Sequence, residues 1–343
     1  MMVSLTDVVA SNQRIASTLP RGLVAVFVGG TSGVGEYTLK AFTRYADQPR
    51  VYIVGRSQES ADRIIDECRA LSPKGHFEFL KADVSSLKNV DAACCEIKKK
   101  ESSINILFQS QGNMAWTEKS PDGLPMAFAV AGHSRLRFAL NLLPLLEKAG
   151  SLRRVVSVAC ATCEGPIDLS NIPGEGFQRR QWRDQLASVS TLWLEELQRR
   201  APTVAFVHTV PGVVDSGIMR DLKPDFQTSI IVGVFRLLKP FINTPPAESG
   251  ERHTFAATSA MFAPVEGGKE HAGVPLNSTI GPGAQGTNGQ LGSGIYSIGM
   301  KNEATTLKTV ETLRQFHQDG TADKVWEYFM SDFKRIIGTE CMT

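Results

Sequence analysis

Glycines recur at Gly29, Gly33 and Gly35, directly after the apolar run Val24–Val28 and directly before a helical pattern. Glycine lets backbone come close to a diphosphate, and the helix that opens there turns its unpaired N–H groups and positive dipole end toward the charge. Thr31, Ser32 and Val34 fill the same turn. The order strand, tight turn, helix makes this a dinucleotide-binding pattern rather than a bare glycine repeat. The second apolar run ends in Gly55-Arg56-Ser57. An acidic residue there would hold a ribose 2′-hydroxyl, whereas a guanidinium offers a fork to a 2′-phosphate. NADP(H) is therefore expected over NAD(H), with Ser57 beside Arg56. Asp83 and Val84 follow the third run. They suit an adenine amino group and ring, and Asp83 equally suits a helix N-cap. Ser110-Gln111-Gly112 and Pro211-Gly212 follow later runs, at the sheet edge where open α/β sheets bind ligands.

A second group of residues bears on reactivity. His133 lies on a long helical stretch and could exchange a proton near neutral pH, or simply be packed. Arg183 could stabilise an oxyanion or hold a carboxylate but cannot act as an acid at neutral pH. With Arg179 and Arg180 it also reads as plain basic surface, and Gln181 and Trp182 are placed at the same mouth. Cys160 follows the fifth run, with Cys163 and Glu164 close behind. Neighbouring negative charge raises a thiol's pKa, so Cys160 is expected to fill space rather than attack. Glu164 and Asp168 are candidate general bases, and Asp215 a candidate helix cap. The Cys160–Cys163 spacing resembles a metal half-site, but no second pair or nearby histidine completes it.

The elements that must position these groups alternate. Strands are expected at 23–28, 51–54, 77–80, 104–108, 154–158 and 204–209, with helices at 34–45, 59–71, 87–98 and 125–146 between them. Alternation of this kind means a doubly wound parallel sheet of Rossmann type. The expected organisation is a helical extension over 1–21, a dinucleotide-binding core over 22–215, lid or substrate loops over 216–293, and a last strand with C-terminal helices over 294–343. Stretches 243–250 and 267–294 read as loops. An apolar stretch over 229–238, together with Phe226, Ile230, Ile231, Val234 and Phe235, suits a lid over a hydrophobic substrate or a subunit interface.

The chain has 343 residues, 42% hydrophobic and 21% charged, with net charge +2. That balance gives no electrostatic case for nucleic acid. There is no run of 18 apolar residues to span a membrane, and residues 1–20 lack the apolar core of a signal peptide. A cytoplasmic location without disulfides is expected.

With these motifs the chain resembles the short-chain dehydrogenase/reductase family over about residues 22–215. Gly29, Gly33 and Gly35 match its glycine signature, Asp83 its adenine-contacting aspartate, Ser110-Gln111-Gly112 its asparagine-alanine-glycine turn, and Pro211-Gly212 the turn flanking the nicotinamide. Gly294-Ile-Tyr-Ser-Ile298 and Val325-Trp-Glu-Tyr-Phe329 resemble a fungal branch found among natural-product enzymes. The resemblance implies a Ser-Tyr-Lys-Asn catalytic set, with lysine lowering the tyrosine pKa from one turn away. Here Cys160 falls at the serine, Arg183 at the tyrosine, Ala187 at the lysine and Ala131 at the asparagine. No tyrosine lies between positions 53 and 295. Three functions stay open: a non-redox cyclisation, isomerisation or rearrangement of a hydrophobic secondary metabolite; NADPH-dependent carbonyl reduction with another proton donor; and a non-catalytic partner of a true reductase. The resemblance also implies a homodimer or homotetramer, and NADP(H) in a structural or a redox role.

Overall fold

The computed structural model describes residues 2–216 and 243–342. Seven parallel strands form one sheet: β1 (Val24–Val28), β2 (Arg50–Gly55), β3 (His76–Lys81), β4 (Ile106–Gln109), β5 (Arg154–Val158), β6 (Ala205–Thr209) and β7 (Ile295–Ile298). Their spatial order is β3-β2-β1-β4-β5-β6-β7. The order reverses beside β1, which places a crevice at the carboxyl ends of β1 and β4. Every residue of β1, β4, β5, β6 and β7 is buried. Helices therefore cover both faces, which is why these strands read as continuous apolar runs rather than alternating ones.

Between and beyond the strands run α1 (Leu5–Asn12), α2 (Ile15–Thr18), α3 (Gly33–Tyr45), α4 (Gln58–Leu71) and α5 (Leu87–Lys100). The N-terminal helix expected as one piece is two, separated at Gln13 and Arg14. The long helix before β5 is α6 (Met126–Phe128), a π turn (Ala129–His133) and α7 (Ser134–Glu147). Insertion of a π turn is common beside functional sites because it re-aims the side chains of one turn. The remaining helices are α8 (Arg179–Arg200), α9 (Pro246–Thr258), α10 (Lys269–Ala272), α11 (Leu307–Gln318) and α12 (Thr321–Ile337). No helix among the described residues is long and apolar enough to cross a membrane.

Stretch 243–250, expected as a loop, instead leads into α9. Pro246 occupies the first helical position, where its missing N–H costs nothing. Gly250 is there for close packing, since a Cβ would lie 2.5 Å from the Tyr37 carbonyl oxygen on α3. The expected lid residues Phe226, Ile230, Ile231, Val234 and Phe235 lie outside the described residues. The C-terminal helices α11 and α12 are parted at Gly320, which takes a left-handed φ of 76°.

Candidate active site

A cavity of about 480 Å³ opens along the carboxyl edge of the sheet, over β1, β2, β4 and β5. The glycine loop forms its near wall. Gly29 has φ +84°, and a Cβ there would lie 2.6 Å from the Gln111 backbone nitrogen. A Cβ on Gly35 would lie 2.4 Å from the Gly29 carbonyl oxygen and 2.4 Å from Ser110 Oγ. These two glycines thus let α3, the loop and the exit of β4 close on one another. Gly33 and Gly35 shape the turn, while Gly29, Thr31, Ser32 and Val34 face the cavity. Ser32 is the N-cap of α3 and its side chain makes no capping bond, so the first helical amides keep their capacity for an anion. Glu36 in that turn would oppose an anion, but it is tied up. Arg63 donates to both carboxylate oxygens at 3.0 Å and Lys40 donates at 2.9 Å. Burial pushes the Glu36 carboxyl up, yet Arg63 and Lys40 outweigh it and hold it below its ordinary value.

At the end over β2 and β3 the cavity is lined by Arg56, Ser57, Asp83 and Val84. Arg56 is exposed at the rim. Ser57 caps α4, accepting from the Ser60 amide at 3.2 Å. Asp83 does not cap α5, whose N-cap is Ser86. Asp83 Oδ1 instead accepts from the Ser85 amide at 3.1 Å and hydroxyl at 2.8 Å, fixing the turn before that helix. Ser110, Gln111, Gly112 and Pro211 line the middle, whereas Gly212 turns the chain behind them with φ +71°.

The end over β4 and β5 holds Met126, Val130, Ala131, Cys160, Trp182, Arg183 and Leu186. Of the candidate catalytic residues His133, Cys160, Glu164, Asp168 and Arg183, the fold brings only Cys160 and Arg183 here, with Arg179 and Trp182 beside them and Gln181 outside the lining. Burial pushes the Cys160 thiol up to about 12, against the pull of Arg135 and Arg183, so it stays protonated. Arg183 donates from Nε and Nη2 to Asp184 Oδ1 at 2.8 and 2.6 Å, and that pairing raises its pKa further. Ala187 is buried and does not line the cavity.

His133, Glu164 and Asp168 lie elsewhere. His133 follows Ala131 by two positions and so turns to another helix face, where its Nε2 meets Asp332 Oδ2 at 2.9 Å among Phe128, Phe329 and Phe333. Glu164 is buried behind β5 and accepts from Thr191, Ser297 and Thr309 at 2.8, 2.5 and 2.9 Å. Asp168 fixes an exposed turn by accepting from the Ser170 amide and hydroxyl. Tyr296 lies in the opposite core layer, donating to the Ala263 carbonyl at 2.7 Å. Asp215 accepts at its backbone carbonyl from the Tyr37 hydroxyl at 2.9 Å, which draws the chain after Pro211 over the start of α3; the segment it was expected to cap lies outside the described residues.

Among the cavity residues that sequence reasoning missed, which include Met126, Val130 and Leu186, one is charged. Arg135 on α7 is 3% exposed and lines the cavity. Its Nη1 donates to Ser157 Oγ and the Val158 carbonyl, each at 2.8 Å, and its Nη2 donates to the Gln111 carbonyl at 2.5 Å. Burial pulls its pKa down to about 10, which still leaves it charged at neutral pH. The signal was available: Arg135 follows Ala131 by four positions, the spacing that shares a helix face.

Comparison with known proteins agrees with this architecture. The family model described as short chain dehydrogenase matches residues 23–164. Oxidoreductase AN1596 of Emericella nidulans is 37% identical, covering 95% of this chain and 97% of that protein. Oxidoreductase andH of Emericella variicolor is 29% identical, covering 98% and 99%. Among solved structures, the MalC reductase/Diels-Alderase from Malbranchea aurantiaca superposes with a TM-score of 0.51 at 12% identity, covering 71% of this chain and 92% of that one. At that identity the likeness is one of fold.

Proposed function

From the premise that this chain belongs to the short-chain dehydrogenase/reductase family, we propose that it binds NADP(H) in the cavity and converts a hydrophobic secondary metabolite by a non-redox cyclisation, isomerisation or rearrangement. The pyrophosphate would rest on the first amides of α3, the 2′-phosphate on Arg56, and the adenine against Asp83 and Val84. The residues fit this group: the Gly29–Gly35 turn is closed by contacts that a single Cβ would break, and the acid in its helix is neutralised. When bound, the nicotinamide supplies a hydride or a flat wall to the substrate site.

The observation that carries the non-redox reading is the absence of a competent proton donor among the described residues at the cavity's β4–β5 end. Carbonyl reduction needs a proton for the new alkoxide as well as a hydride. The tyrosine position is a guanidinium, the serine position a thiol held near 12, and the asparagine and lysine positions are methyl groups. What remains is shape and fixed charge: Met126, Val130, Trp182 and Leu186 exclude water from an apolar substrate and hold it folded. Positioning of this kind lowers the barrier of an intramolecular reaction without moving a proton. One protein of this fold carries both activities in its description as a reductase/Diels-Alderase. NADPH-dependent reduction with water as donor is the second reading, favoured by the description of the full-length relatives as oxidoreductases.

The test is metabolite profiling of a producing strain with and without this protein, followed by assay of the accumulated intermediate with the purified chain. A product isomeric with its substrate, formed without NADPH consumption, is expected. A gain of two hydrogens with stoichiometric NADPH oxidation would overturn the proposal, as would no turnover alone but activation of a neighbouring reductase.

A further inference from the structure

The described residues contain four buried arginines, and they differ in how their charge is met: Arg252 on α9 donates to the Glu248 carboxylate at 2.7 Å. Arg137 on α7 is fully buried and holds Asp91 with two bonds of 2.7 Å. Arg154 on β5 is fully buried and donates to the carbonyls of Ala256, Ser259 and Ala272, at the carboxyl ends of α9 and α10. Unpaired carbonyls there carry the negative end of the helix dipole. Arg135 has neither kind of partner. Its three acceptors are a hydroxyl and two carbonyls at the ends of β4 and β5, and its Nε, like that of Arg154, is buried with no hydrogen-bond partner. No carboxylate pairs with it among the described residues. A buried cation without a counter-charge is costly, and proteins keep one where something else supplies the charge.

Arg135 also differs in place, for it alone of the four lines the cavity. The same end carries Arg179 and Arg183, while Asp83 is the single acid among the described lining residues and lies at the opposite end. Around the cations stand Met126, Val130, Trp182 and Leu186. The position where the family resemblance puts a lysine is the buried methyl of Ala187 on α8. The fixed positive charge of the floor comes instead from α7.

We propose that Arg135 is an anion-binding residue of the substrate site, and that the substrate is an apolar small molecule bearing an acidic oxygen, either a carboxylate or the enolate of a 1,3-dicarbonyl. The guanidinium is braced from three directions, so it meets such an oxygen without reorganising. It cannot lose its proton at neutral pH, so it stabilises negative charge without protonating it. Arg183 at the mouth, already paired with Asp184, draws the same ligands in from solution with less selectivity. This inference concerns the charge of the substrate, and it holds for a redox or a non-redox reaction alike.

The test uses 2-naphthoate and its neutral isostere 2-naphthamide, titrated into the full chain with saturating NADPH and followed by quenching of the cavity tryptophan Trp182. A hydrogen bond to a charged group is worth about 1.5–3 kcal/mol, so naphthoate should bind at least about tenfold more tightly than the amide. Arg135→Met should abolish that preference while Arg183→Met keeps most of it. Equal binding of the two probes by the unaltered protein, or no binding of naphthoate, would overturn the proposal. A preference surviving in folded Arg135→Met would overturn it too. Should that variant fail to fold, crystals of the unaltered protein soaked with 4-bromobenzoate decide the matter through the bromine's anomalous signal. The carboxylate is expected on Arg135, and a carboxylate held only by Arg179 or Arg183 refutes the assignment.

Discussion

Gly35→Ala separates what the glycine loop does for the fold from what it does for the cofactor. The added methyl would lie 2.4 Å from the Gly29 carbonyl oxygen and 2.4 Å from Ser110 Oγ. The serine hydroxyl can rotate away. The carbonyl cannot, because the Gly29 amide is tied to the Val54 carbonyl at 3.0 Å and the Gln111 backbone presses on its other side. Relief must come from moving the start of α3 outward. Overpacking of this kind costs about 1–3 kcal/mol. Unfolding entropy near 2.1 cal/mol/K per residue gives roughly 0.7 kcal/mol/K for a chain of this size, so Tm should fall by about 1.5–4 °C. The displaced amides are those offered to the pyrophosphate. Losing about 1.4 kcal/mol of that interaction weakens NADPH about tenfold. Scanning calorimetry and isothermal titration with NADPH measure the two effects. A lowered Tm with unchanged NADPH affinity would show that the loop does not seat the pyrophosphate. No change in either would show that the close contacts do not constrain α3.

Three further outcomes follow from single residues. Arg56→Ala should weaken NADPH by about tenfold or more and leave NADH unchanged, since a charged bond to the 2′-phosphate is lost; an equal fall for both cofactors refutes the role of Arg56. Asp91→Ala leaves the fully buried Arg137 without its carboxylate and should cost about 3–5 kcal/mol in urea unfolding, largely recovered by pairing Asp91→Leu with Arg137→Met; a loss under about 1 kcal/mol would contradict the pairing. Burial, and then the charge of Arg135, lower the His208 pKa to about 3. Its folded pKa thus lies below the unfolded value of about 6.5, so its stabilising contribution is complete above about pH 6.5 and erodes as pH falls toward 3. His208→Gln should flatten the decline in urea midpoint between about pH 6.5 and 4.5, and an unaltered slope would refute the assignment.

The sheet and the loops that line the cavity were legible because their signals are local. A buried parallel strand is one apolar run, and Gly29, Arg56, Asp83 and Ser110 each stand immediately after such a run. Helix α9 was not legible: Pro246 and Gly250 read as breakers, and only the contact of Gly250 with Tyr37 on α3 explains the glycine. His133 and Glu164 drew attention as polar residues close to the site. Their partners, Asp332 in one case and Ser297 and Thr309 in the other, stand well over a hundred positions away. A sequence shows that such a residue is polar and not what satisfies it. Arg135 was missed for the converse reason. Arg135 and Arg137 look alike in sequence, and only the fold gives one of them Asp91 and the other the cavity.

The contrast between those two arginines bears on chemistry as well as stability. A tyrosine lowered by a nearby lysine, as the family resemblance implies, stabilises an oxygen anion by giving it a proton. A guanidinium stabilises the same anion and keeps its protons, so the charge persists and can move through the substrate's own bonds. A Cys160 thiol held near 12 is a weak acid and the Ala187 methyl carries no exchangeable proton, so neither is matched to proton transfer at neutral pH, which is left to the substrate itself or to water. Met126, Val130, Trp182 and Leu186 give this end of the cavity an apolar lining. An apolar site that holds negative charge and has no group matched to proton transfer among the described residues favours bond reorganisation inside one molecule over net transfer to it. Under the non-redox reading proposed above, the floor's cation standing on α7 rather than α8 is the structural change that accompanies the missing tyrosine and lysine.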